Sequence, residues 1–238
     1  MSKHLKSLNA PRSTKIKRKQ KTWTVKASPG PHPISKSIPL GLILRDYLKF
    51  VDTLDEAKTV ISNGDILVDG DKRKSHKFPC GLMDIISIPK MKKDYRILFN
   101  KLGKLVLVPI DSKSASWKLY RIENKTYVKG KKLQLNFHDG SNRLVKKDEY
   151  KTGDVLKIEL KDKKISDTFK FEKGTTSMII GGSHIGEVAN IKDIEIISSS
   201  KPNLAKLKGK NEFSTVQDYV FPIGKDKPAI ELPEVKVQ

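Results

Sequence analysis

Ten lysines and arginines, and no acidic residue, lie between Met1 and Pro39. The first carboxylate is Asp46. Such a stretch repels itself and carries too little apolar surface to fold alone. Pro29, Pro31 and Pro33 favour an extended chain. Residues 1–39 are therefore expected to form an arm that orders against phosphates, each seated cation releasing counterions. The residues expected to carry this are Lys3, His4, Lys6, Arg12, Lys15, Lys17, Arg18, Lys19, Lys21, Lys26, His32 and Lys36. A solvated tail is the alternative. Trp23 stands alone among polar residues; it offers a ring for a base to stack on, or an anchor onto the adjacent domain.

The rest of the chain points the same way. Over all 238 residues, 48 basic side chains face 27 acidic ones, a formal charge of +21. That excess calls for a polyanion, and nucleic acid fits it better than an acidic membrane surface. Apolar residues make up 37%, enough for packed cores but little for one large core. A single cysteine, Cys80, excludes an internal disulfide and suits a reducing compartment. No run is apolar and long enough to cross a bilayer, and no apolar segment follows the basic N-terminus. A cytoplasmic protein is expected.

Residues 40–92 read as a small α+β module. Leu40, Leu42, Ile43, Leu44, Tyr47, Leu48 and Val51 give a helical stripe. Thr53 with Glu56 predicts a capping box, and Asn63-Gly64 ends that second helix. Ile66, Val68 and Asp69-Gly70 predict a strand and a tight turn, and Met83 to Ile88 a further strand. Arg45, Lys49, Lys58, Lys72, Arg73, Lys74, His76 and Lys77 lie near its turns and are expected to form a basic ridge that tracks an RNA backbone. Ile61-Ser62-Asn63-Gly64-Asp65-Ile66-Leu67-Val68-Asp69-Gly70 resembles the signature of the alpha-L (S4-like) RNA-binding domain.

Residues 93–174 alternate in short strands with lysine-rich loops, which predicts a small central β barrel or folded sheet. Arg143 and His138 are its candidate RNA contacts, with His138 alternatively a neighbour of the sheet. In residues 175–225, Met178 to Ile180, Gly181-Gly182 and Val188 to Ile191 read as strand, turn and strand. Gly181, Gly182 and Gly186 would supply positive φ or let a ligand backbone come close, beside His184. Lys206, Lys208 and Lys225 complete the candidate contacts, and residues 226–238 form a short, partly acidic tail.

No catalytic constellation is found. The five histidines are scattered, Cys80 lacks zinc-site companions, and no serine sits in a nucleophile elbow. No cofactor, metal or small-molecule substrate is expected. A pseudouridine synthase would need an aspartate after Arg-Leu; here Arg143-Leu144 is followed by Val145. A non-ribosomal RNA chaperone or assembly factor is the other alternative.

The order of modules resembles one family, the archaeal and eukaryotic small-subunit ribosomal protein S4e. Lys3-His4-Leu5-Lys6, Asn9-Ala10-Pro11 and Gly30-Pro31-His32 are similar to its arm, and Gly81-Leu82-Met83-Asp84-Ile85-Ile86 to its first domain. His138-Asp139-Gly140 and Gly153-Asp154 match the central domain, Gly181-Gly182 with Gly186 the KOW segment, and Phe221 with Ile223-Gly224-Lys225 the close. The resemblance implies a mostly β, multidomain protein ending in an SH3-like KOW module. It implies small-subunit ribosomal RNA, near its 5′ domain, and neighbouring ribosomal proteins as partners. It also implies a structural role without catalysis and, from the short chain, an archaeal source. The acids Glu231 and Glu234 depart from the family's usually basic tail.

Overall fold

The computed structural model describes residues 4–209 and 211–233. The chain divides into two compact units, Met1–Leu98 with Lys104–Lys118, and Phe99–Gly103 with Leu119–Gln238. The first holds both α-helices, and both units are built on antiparallel sheets. Among the described residues no helix is long and apolar enough to cross a membrane.

In the first unit, β1 (Leu5–Lys6) pairs with β2 (Trp23–Thr24). Then β3 (Ser37–Pro39) leads directly into α1 (Leu40–Leu42), which continues as a wide π turn over Ile43–Tyr47. Of the apolar stripe, Leu40, Leu42, Ile43 and Leu44 are buried and Tyr47, Leu48 and Val51 half-buried, and the helix is shorter than its stripe. After it, α2 (Leu54–Ser62) starts at Thr53, whose hydroxyl accepts from the Glu56 amide while Glu56 reaches back to the Thr53 amide. Gly64, at φ +77°, ends it, as an L side chain would not readily do. Next come β4 (Leu67–Val68), β5 (Asp71–Lys72), β6 (Pro79–Gly81), β7 (Ile85–Ile88), β8 (Lys93–Phe99) and β9 (Leu105–Ile110). The sheet runs β5-β4-β7-β8-β9, and β3 pairs separately with β6.

Two features differ from the sequence expectation. The strands at 93–99 and 105–110 do not open a central sheet; β8 pairs along β7, with Ile85 opposite Arg96. Alternation marks a strand but not its neighbour. The arm is also folded onto this unit. Ala10, Val25, Ala27 and Ile38 are buried. Backbone bonds tie Leu105 to Ser13 and Ser28 to Lys77, and the Lys15 amide donates to the Tyr47 hydroxyl at 2.7 Å. The few apolar residues of the arm cannot form a core among themselves, but the module supplies the other half.

In the second unit the strands are β10 (Trp117–Val128), β11 (Lys132–Phe137), β12 (Asn142–Val145), β13 (Val155–Glu159) and β14 (Ile165–Phe169). They form a sheet in the order β12-β11-β10-β13-β14 around Ile122, Leu135, Phe137, Leu156 and Ile158. A second sheet of β15 (Thr176–Ile179), β16 (Val188–Glu195), β17 (Leu204–Lys208), β18 (Glu212–Val216) and β19 (Val220–Gly224) runs β18-β17-β16-β15-β19. Its core holds Ile179, Ile191, Leu207 and Val220.

Candidate nucleic-acid interface

The basic ridge is assembled from α2 and the loop after β5. The capping box fixes where α2 begins and so where Lys58 stands. The 73–78 loop is pinned to α1 by Gly41 N donating to His76 O at 2.8 Å and Leu40 N to Phe78 O at 3.0 Å. Arg73 lies over the Phe78 ring at 4.8 Å and donates to Asp71 at 3.0 Å. His76 is held below the ordinary imidazole range, first by burial and then by the charges of Lys58 and Lys77. Lys58 on α2 and Lys77 on the loop thus both act on His76. Lys72 and Lys74, in the same segment as Lys77, are exposed. Lys58 has one compensating acid, Asp55, at 2.7 Å. Like charges gathered on one segment repel one another in water and are relieved by a polyanion.

The arm offers a second surface. Arg12, Lys15, Lys17, Lys19, Lys21 and Lys36 are exposed, and Lys26 is half-buried. The register of β1 on β2 sets Lys6 opposite Trp23. The Lys6 ammonium stands 6.0 Å from the indole centroid, and the His4 ring 5.6 Å from it. Trp23 remains 54% exposed. An exposed indole beside an ammonium and a second aromatic ring is suited to stacking on an unpaired base. Trp23→Ala should weaken binding to a single-stranded RNA by roughly tenfold, measured by filter binding. Trp23→Phe should retain most of the affinity, and equal losses in both would remove the stacking role.

The same unit contains a buried charge network that the sequence reading missed. Lys118 is fully buried and donates to Asp69 and Asp84, each at 2.7 Å. Asp84 also accepts from His32 at 3.0 Å and from the Gly81 amide at 2.8 Å. Burial pushes the Asp84 carboxyl up, but the charges of Lys118 and His32 outweigh it and hold it well below the usual carboxylate range. Asp69, with 21% of its side chain exposed, is pushed up to about 6, chiefly by burial and against the pull of Lys118. Arg96 is also buried, its guanidinium 4.5 Å from the Trp117 ring and donating to the Ser114 and Trp117 carbonyls. The available signal was Asp84 itself, an acid inside the apolar run Leu82 to Ile86.

Comparison with known proteins bears directly on this pairing of basic surfaces with a shared architecture. Residues 91–165 match the Ribosomal family S4e, and residues 1–35 match the RS4NT (NUC023) domain. Small ribosomal subunit protein eS4 of Methanothermobacter thermautotrophicus is 47% identical over 234 residues, covering 97% of this chain and 96% of its own. Its counterpart in Archaeoglobus fulgidus is 48% identical over 233 residues, covering 96% and 97%. The crystal structure of the 30S ribosomal protein S4e from Thermoplasma acidophilum aligns with a TM-score of 0.70 at 36% identity, over 80% of this chain and 96% of that one. The chain belongs to the eS4 family.

Within this eS4 chain, several residues expected to meet RNA have partners inside the protein. His32 is buried on Asp84; Gly81 leaves room for it, since a Cβ there would lie 2.3 Å from the imidazole. Arg18 donates to the carbonyls of Ala10 at 2.6 Å and Pro11 at 2.7 Å, closing the arm's own loop. Arg45 is paired with Asp46 and half-buried. His138 accepts from the Arg121 amide at 3.2 Å and meets Phe221 edge-on at 5.4 Å, which places it beside the sheet. Gly181 lies against the Tyr219 ring, and Gly182 has φ +78° beside the same ring. A Cβ on Gly186 would stand 2.4 Å from the Asn100 carbonyl, so the chain's own backbone comes close there. Gly186→Ala, at φ +79°, should cost about 2–4 kcal/mol in urea unfolding. A cost under about 1 kcal/mol would mean the loop shifts freely.

The remaining positions are divided. His184 stacks on Phe213 at 4.0 Å. Lys206 and Lys208 alternate with buried Ala205 and Leu207 on β17, a strand hidden by its lysines, and Lys206 pairs with Glu195 at 3.3 Å. Lys49 and Lys225 are exposed and Arg143 half-buried. Lys3 and Glu234 lie outside the described residues.

Proposed function

We propose that this protein is a structural constituent of the small ribosomal subunit that binds and stabilises its ribosomal RNA, acting in the cytoplasm in support of translation. The observation that carries this is the run of cations Lys72, Arg73, Lys74 and Lys77, on a segment hydrogen-bonded to α1, in a chain related over 97% of its length to an eS4 protein. Phosphate contacts supply most of the affinity, and the fold supplies register. The RNA is near the subunit's 5′ domain, and neighbouring ribosomal proteins cover part of the remaining surface.

The finer architecture follows the same reading. Residues 40–92 act as the alpha-L domain, and the sheet of β10 to β14 as a barrel-like central domain. Residues 175–225 act as an SH3-like KOW module, a reading supported by five antiparallel strands with the Gly181-Gly182 turn between β15 and β16.

Co-sedimentation across a salt series tests the function. The native protein should remain on mature small subunits, near one copy each, through ~0.5 M salt. Presence only on immature particles indicates an assembly factor, and absence from ribosomal fractions overturns the reading.

A further inference from the structure

We propose that the outer face of β10, β11 and β12 reads the shallow minor groove of an RNA duplex through uncharged amide side chains. The register sets Asn124, Asn136 and Asn142 in one row across the three strands, and Thr126, Gln134 and Leu144 in the next. The opposite face carries Leu133, Leu135 and Phe137 into the core, so the two rows face outward. No charge stands in either row, although 32% of the chain is charged. Gln134 Nε2 donates to Asn136 Oδ1 at 2.8 Å, and Asn136 Nδ2 to Thr126 Oγ1 at 3.4 Å, which aligns the amides.

Amides both donate and accept, and so match 2′-hydroxyls and minor-groove base edges, which lysines cannot do alone. Three strands make a face about 10 Å wide, suited to a wide and shallow groove. The same strands end in exposed cations. Lys129, Lys131 and Lys132 occupy the β10–β11 turn, and Lys146 and Lys147 follow β12. Leu133 opposite Val145 brings both groups to one end, where they would meet the flanking phosphates. Charge at the end and amides along the face is the complement of a duplex backbone beside its groove.

This inference rests on the RNA-binding reading above but fails separately from it. The full chain would be titrated, at one salt concentration, with a 20-base-pair RNA duplex and a DNA duplex of the same sequence. The wild type should favour RNA by about tenfold. Gln134→Val with Asn136→Val, which suits a strand and keeps the charge, should abolish that preference while leaving DNA affinity unchanged. If that pair does not fold by circular dichroism, Asn124→Ala with Asn142→Ala on the flanking strands gives the same readout. A persistent RNA preference in a folded variant overturns the proposal, as does a wild type without preference. A folded variant that keeps the preference but no longer enters small subunits overturns it in favour of a protein contact. Loss of wild-type co-sedimentation with small subunits would instead remove the ribosomal function.

Discussion

Lys118→Met should destabilise the first unit by about 3–5 kcal/mol, seen as a lower urea midpoint by Trp117 fluorescence. The substitution roughly keeps the volume of the side chain, so packing is not the main loss. It leaves Asp69 and Asp84 facing each other in a buried site without the cation that each contacts at 2.7 Å. Removing one partner of a buried ion pair is costly because the other charge stays behind. Asp69→Asn in the Lys118→Met background should therefore recover part of the loss, at least ~1 kcal/mol, by removing one of two like charges. A cost below about 1 kcal/mol, or no recovery, would mean that the network contributes little.

The same network sets a pH dependence. Asp84 is depressed in the folded state, so its contribution is complete above its unfolded pKa of ~4 and is lost as pH falls through that value and below. Asp69 is raised to about 6, so between ~4 and 6 the folded state holds a proton that the unfolded state has released. Stability from that group declines as pH rises through the same window. Asp84→Asn should be less stable at pH 7, yet lose little more on acidification below pH ~4. An acid limb as steep as that of the wild type would place the responsible carboxylate elsewhere.

The second large effect concerns RNA. Lys58, Lys72, Lys74 and Lys77 changed together to Gln should weaken binding to a small-subunit ribosomal RNA transcript by at least ~100-fold near 0.1 M salt. The slope of log affinity against log salt should become shallower by about three, since each lost phosphate contact removes ~0.7–0.9. Arg73 is left in place because it stacks on Phe78, and removing it would mix lost packing with lost charge. Deleting residues 1–39 is a poor alternative, because it also removes buried Ile38 and the His32 bond to Asp84. An unchanged salt slope in the folded quadruple variant would move the interface off this ridge.

The local elements were legible because their causes are local. Thr53 and Glu56 cap α2 from three residues apart, Gly64 ends it, and Asp69-Gly70 turns the chain at positive φ. Side-chain alternation marked β11, the apolar run ending at the Gly181-Gly182 turn marked β15, and the charge excess alone named a polyanion. Even so, Lys206 and Lys208 drew attention to charge where Ala205 and Leu207 made a strand. Pairing belonged to the tertiary structure. Nothing within 93–110 says that β8 lies along β7, since a period of two reports which side chains share a face and not which strand is adjacent. The same holds for the fate of a cation. Arg18, His32 and Lys118 read in sequence like Lys19, Lys36 and Lys129, yet the first three end on carbonyls or carboxylates inside the protein. A positive side chain is satisfied equally well by a phosphate or by an internal acceptor, and only the three-dimensional placement of those acceptors decides between them.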